Sequence, residues 1–159
     1  MANGHNLAIA LRSAYLALHR RTDARFARHG ITADQFVLLA SLARGGEALT
    51  QRDLARRISS DPSTVRAMLV ILEDRGLVER TTPPGDARAR AVGLTGDGLR
   101  LYRRLWRAGE PIRQRMVTAF GPGEAETLVR LLDQVAESLN TEGIPDYETS
   151  PPHPQEIGT

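Results

Sequence analysis

The amino-acid sequence predicts a mainly α-helical single domain that carries one β-hairpin. Three observations lead there. Apolar residues recur at three- and four-residue spacing along most of the 159 residues. Capping signals punctuate those runs: threonine, an Asp-Pro pair and several glycines. A turn-rich stretch at residues 81–86 separates two short segments that read as strands.

Leu7, Leu11, Ala14, Tyr15, Leu18 and Phe26 mark a first helix from residue 7 to about residue 28, and Gly30 closes it in the position where left-handed backbone is common. Thr32 caps a second helix. Its run Phe36-Val37-Leu38-Leu39-Ala40-Ser41-Leu42 is too continuous for a surface helix and is expected at the centre of the core, with Gly45-Gly46 as its end. Thr50 opens a short helix through Ile58, with Asp53 at the reciprocal capping-box position. Ser59-Ser60 turns the chain into Asp61-Pro62, an N-cap followed by proline at the first helical position. Val65, Met68, Leu69 and Leu72 then form one stripe that stops at Gly76.

Two short helices joined by a tight polar turn read as a helix-turn-helix. The second begins with Asp61, Ser63, Thr64 and Arg66, small or hydrogen-bonding residues that suit a polar partner. Leu77-Val78-Glu79-Arg80 reads as a strand, and residues 88–94 return after the turn, giving a hairpin with a basic tip and an apolar stem. A helix-turn-helix followed directly by such a hairpin is a winged helix. Thr95 caps a long helix carrying Leu99, Tyr102, Leu105, Trp106, Ile112 and Met116, which Gly109 and Pro111 should kink midway. Gly121-Pro122-Gly123 breaks the chain before a last helix with Leu128, Leu131, Leu132, Val135 and Leu139. The tail, residues 141–159, holds four prolines and is expected to be mobile.

Composition narrows the function classes. The absence of cysteine removes disulfides, thiolate metal sites and thiol catalysis. No apolar stretch approaches the ~20 residues that span a bilayer, and residues 1–6 have no basic region leading into an apolar core. No membrane partner is expected, and the cytoplasm is the simplest compartment. All 21 basic residues are arginine, and they are unevenly placed. Residues 1–115 carry 20 Arg against 11 acids, whereas residues 116–159 carry only Arg130 against eight. A basic body with an acidic end suggests a polyanion partner. The scattered His5, His19, His29 and His153 offer no metal-ligand spacing. There is no His-Glu-x-x-His, phosphate-cradling glycine loop or Gly-x-Ser-x-Gly elbow, so no catalytic residue, metal or cofactor is expected.

The middle of the chain resembles the MarR family of bacterial transcription regulators, over roughly residues 7–140. Leu72-Glu73-Asp74-Arg75-Gly76-Leu77-Val78-Glu79-Arg80 resembles the family's exit from the recognition helix into the wing. Asp86-Ala87-Arg88, followed by Val92-Gly93-Leu94-Thr95, is similar to its wing signature. Thr32-Ala33-Asp34-Gln35-Phe36 looks like its Thr-x-x-Gln-aromatic opening of helix 2. Gly96-Asp97-Gly98 departs from the usual pattern at the start of the helix after the wing. The resemblance implies a winged helix-turn-helix whose N- and C-terminal helices form a dimerisation base. The expected segments are 1–31 (dimerisation), 32–95 (DNA-binding), 96–140 (dimerisation) and 141–159 (acidic tail). It also implies a homodimeric, sequence-specific regulator of double-stranded DNA, usually a repressor released by a small ligand such as an aromatic acid. A winged helix used for protein–protein contact, or a DNA-binding regulator without an effector, are the alternatives.

Candidate DNA contacts follow from residue chemistry. Asp61, Ser63, Thr64 and Arg66 open the recognition helix, where arginine can bind guanine bidentately. Thr50, Gln51 and Arg52, with Arg56 and Arg57 nearby, lie on the preceding helix and suit phosphate contacts that set register. Arg80 enters the wing. Arg88 and Arg90 alternate along the returning strand and suit a narrow minor groove, and by family resemblance Asp86 orients Arg88. For a small ligand the candidates are Arg12, Tyr15, His19, Phe36, Tyr102 and Trp106. Tyr15 with His19 and Tyr102 with Trp106 are each four apart on one helix face, a spacing that plain core packing also produces.

Overall fold

The computed structural model describes residues 3–45, 48–82, 85 and 90–141. The expected wing tip, including Asp86 and Arg88, and the tail beyond Thr141 lie outside them. The chain divides into two compact units, residues 1–116 and 117–159.

In the first unit, α1 (Gly4–Phe26) runs into one turn of 3-10 helix (Ala27–His29), and Gly30 ends it at φ 63°. Helix α2 (Ala33–Gly45) opens on a reciprocal capping box. The Gln35 N–H donates to Thr32 Oγ1 at 3.1 Å, and the Thr32 N–H donates to Gln35 Oε1 at 3.0 Å. That bond satisfies Gln35, the one buried polar side chain among the described residues. The continuous apolar run of α2 buries Leu38, Leu39 and Leu42 but leaves Val37 exposed, so even this central helix keeps a solvent side.

After the two-residue strand β1 (Leu49–Thr50) come α3 (Gln51–Arg57) and α4 (Pro62–Asp74). Val65, Met68, Leu69 and Leu72 of α4 are buried against Leu38, Leu39, Leu54 and Leu105, each full leucine burial stabilising by about 2 kcal/mol. Strands β2 (Val78–Thr81) and β3 (Ala91–Leu94) form the hairpin stem. They pair antiparallel with Val78 opposite Leu94 and Thr81 opposite Ala91. Strand β1 adds to the other edge of β3, giving the order β1-β3-β2.

Helix α5 (Gly96–Ala108) starts under that sheet. The Thr95 N–H donates to the Leu77 carbonyl at 3.2 Å and the Thr95 hydroxyl to the Gly76 carbonyl at 2.6 Å. Gly98 lies so close that a Cβ there would sit 1.9 Å from the Leu77 oxygen. The Gly96-Asp97-Gly98 departure is therefore where the carbonyl just before β2 meets a helix, and the second glycine is a packing requirement.

The long kinked helix expected through residue 116 is two helices, α5 and α6 (Glu110–Val117). Pro111 has no N–H to continue the ladder. The carbonyls at the end of α5 are taken instead by side chains: Arg25 donates to Ala108 O at 2.8 Å and Arg113 to Trp106 O at 2.5 Å. In the second unit, α7 (Glu124–Asn140) follows Gly123, whose φ is 77°. Among the described residues no helix is long and apolar enough to cross a membrane.

Candidate nucleic-acid interface

The turn between α3 and α4 is held by side chains close in sequence. Ser59 takes a left-handed conformation, φ 51°, to reverse the chain. Thr50 caps α3, accepting from the Asp53 N–H at 3.1 Å. The reciprocal capping box expected here takes another form. Asp53 is one methylene shorter than glutamate, and its carboxylate accepts from the Thr50 hydroxyl at 2.5 Å and from Arg56. These two bonds, Thr50 first, hold the Asp53 carboxyl below its ordinary range. Gln51 Nε2 donates to the Pro62 carbonyl at 3.3 Å, tying α3 to the first turn of α4.

Asp61 caps α4 with unusual completeness. Its carboxylate accepts from the Ser63 N–H at 2.8 Å, the Thr64 N–H at 3.1 Å and the Ser63 hydroxyl at 2.5 Å. The Thr64 hydroxyl donates to the other carboxylate oxygen. Bonds from the Ser63 and then the Thr64 side chain push the Asp61 carboxyl far below the usual range, so it is ionised at neutral pH. An ionised carboxylate can only accept. Both hydroxyl protons therefore point inward at Asp61, and Ser63 and Thr64 turn lone pairs toward solvent. Asp61, Ser63, Thr64 and Arg66 are all exposed at this end of α4. Neither Arg66 nor the exposed Arg52 has an ion pair among the described residues.

The wing root differs. Arg80 Nε donates to Glu73 Oε2 at 3.1 Å, linking β2 to the last turn of α4, and the arginine is half-buried. Its partner is seven residues away across a turn, a pairing that periodicity could not reveal. Arg90 is exposed just before β3. Asp86 and Arg88 lie outside the described residues.

The six ligand-pocket candidates fall into separate groups. Phe36 stacks on Tyr102 with centroids 5.9 Å apart, and Tyr102 meets Trp106 at 6.2 Å. Phe26, read from sequence only as part of the first helix's apolar stripe, extends this row, 4.9 Å from Phe36. Trp106 is covered by Arg113 at 3.8 Å and approached by Arg44 at 5.9 Å, two cations that sequence alone did not point to. A groove of about 470 Å³ runs beside Tyr102, Arg103, Trp106 and Arg107. Tyr15 and His19 form their own pair on α1, 5.5 Å apart. His19 lies 3.2 Å from Asp23 and 3.4 Å from Asp34, joining α1 to the first turn of α2. Arg12 is exposed on α1. Among the described residues no three His, Asp or Glu side chains gather as a metal site.

Comparison with known proteins matches this architecture. The MarR family model covers residues 29–89, which include α2, α3, α4 and the start of the hairpin. The multiple antibiotic resistance protein MarR of Salmonella typhimurium is 32% identical over 106 residues, 66% of this chain and 73% of that protein. The S. aureus MepR–DNA complex superposes with a TM-score of 0.75 at 25% identity, covering 84% of this chain and 97% of MepR. The Streptomyces coelicolor PcaV regulator, solved with its natural ligand, gives 0.69 at 26% identity over 87% of this chain and 99% of PcaV. The winged helix, its hydroxyl- and arginine-bearing α4 and these likenesses agree: the chain belongs to the MarR family of DNA-binding transcriptional regulators.

Proposed function

We propose that this protein is a homodimeric repressor that reads a pseudo-palindromic operator and releases it on binding a small ligand. The observation that carries the reading is the exposed N-terminal end of α4, where Asp61 fixes Ser63 and Thr64 and Arg66 has no ion pair among the described residues. Arg66 is the base reader, suited to guanine O6 and N7. Ser63 and Thr64, presenting lone pairs, accept from the amino groups of cytosine or adenine. Thr50, Gln51 and Arg52 set the register on phosphate, and Arg88 and Arg90, with Asp86 orienting Arg88, reach the minor groove from the wing. Asp61 acts through the hydroxyls it holds, and Arg80 braces the wing root.

Dimerisation is supported by the apolar residues that α1 and α7 leave exposed, among them Leu7, Ile9, Val129 and Leu139. Two copies would place their recognition helices one helical turn of DNA apart, about 34 Å. The aromatic row of Phe36, Tyr102 and Trp106, flanked by arginines, suits an aromatic acid, and the ligand-bound PcaV likeness favours such an effector.

The test is selection of binding sites from random DNA, followed by anisotropy titration across salt concentrations. A two-fold symmetric site is expected, with affinity that falls steeply as salt rises. Arg66→Ala should weaken the selected site and relax preference at one base of each half-site, a change of about tenfold or more. Arg88→Ala should weaken binding and lose preference in the flanks. Failure to enrich any sequence would overturn the reading.

A further inference from the structure

A second basic site lies at the opposite end of α4 from the DNA-reading residues. Thirteen residues of helix separate the two ends by about 20 Å. There the 3-10 turn, the segment after α4 and one face of α5 border an open cleft of about 530 Å³. Arg75, Arg100 and Arg104 line it, with His29 beside them and Asp97 as the one acid among the described residues. Buried Leu77 and Leu101 supply its apolar lining.

The arginines are unequally engaged. Arg75 donates to the backbone carbonyls of Gly30 and of His29, the latter at 3.1 Å. Those partners are neutral, so the guanidinium is held in place with its charge uncompensated. Arg100 pairs with Asp97 one turn earlier on α5. Arg104, four residues on and on the same face, has no ion pair among the described residues. Three guanidiniums against one carboxylate leave the cleft with a surplus of two positive charges.

We propose that this cleft binds a phosphate monoester carrying an apolar group. A phosphoryl group is largely dianionic at neutral pH and matches the surplus charge. Its oxygens suit the forked donors of arginine, which bind phosphate in pairs of parallel hydrogen bonds. The cleft volume lies in the range of small-molecule sites, and Leu77 with Leu101 receives the apolar part.

The test is calorimetric titration of the full chain with phenyl phosphate, with phenyl sulfate, of the same shape but not a carboxylic acid, as the monoanionic comparison. No DNA is present, so the result is independent of the operator reading. Saturable binding, with R100Q and R104Q each weakening it about tenfold, supports the site. Arg100 and Arg104 are exposed, so both variants should melt with the parent. R130Q, an exposed α7 arginine that lines neither cleft, should leave affinity unchanged. The proposal fails if phenyl phosphate does not saturate at millimolar concentration, if phenyl sulfate binds as tightly, or if R100Q and R104Q leave the affinity unchanged. It also fails if R130Q weakens binding as much as R104Q, which would indicate diffuse charge.

Discussion

Helices α4 and α7 carry apolar stripes of the same spacing and meet opposite fates. Val65, Met68, Leu69 and Leu72 of α4 are all buried within the chain. Leu128, Leu131, Leu132 and Leu139 of α7 are 38–62% exposed, and no residue of α7 is fully buried. Periodicity reports that a helix has a face to cover, and says nothing about which molecule covers it. In α4 the cover is the chain itself, fixed by α2, α3 and the hairpin. For α7 the proposal is a second copy.

The largest effect should come from breaking the internally covered side of this contrast. Leu69→Ala removes a fully buried side chain, and chemical denaturation should register a loss of about 4 kcal/mol. That loss should not depend on protein concentration. Gly98→Ala should follow at about 3 kcal/mol, because the new methyl meets a backbone carbonyl that cannot rotate away.

A smaller and pH-dependent effect belongs to the α4 cap. The folded Asp61 carboxyl lies below its unfolded value, so its contribution is complete above the unfolded pKa of about 4. It is lost as pH falls toward the folded value. Asn caps nearly as well as Asp. Asp61→Asn keeps the backbone cap but loses the charge and the second acceptor, so it should be less stable than the parent at neutral pH, with the gap closing as pH falls, while also freeing the Thr64 hydroxyl to rotate. The smallest effect on the fold should come from Leu132→Glu, within about 0.5 kcal/mol at concentrations too dilute for association. Sedimentation should nevertheless show weakened self-association. A dimer unchanged by Leu132→Glu would place the cover of α7 elsewhere.

What the sequence made legible was local. Gly30, the Asp61-Pro62 cap and the stripe of α4 are each decided within four or five residues, and each stands where the chemistry of those residues puts it. Strand β1 escaped because two residues carry no period. The break at Gly109-Pro111 was visible as a bend, yet whether a bend becomes two helices depends on Arg25 and Arg113 taking up the freed carbonyls. The candidate site divides the same way. Asp61, Ser63, Thr64 and Arg66 could be grouped from sequence because one cap organises them. The pairing of Arg80 with Glu73, and of Trp106 with Arg44 and Arg113, arises only once distant segments meet.

The contact between Gly98 and the Leu77 carbonyl has a mechanical consequence. With no side chain between them, the first turn of α5 and the base of β2 form a corner without slack, and Thr95 pins it from both backbone and hydroxyl. A rotation of α5 cannot be absorbed there by a side chain changing rotamer. It is passed instead to the start of β2, so the helix and the hairpin stem act as one lever.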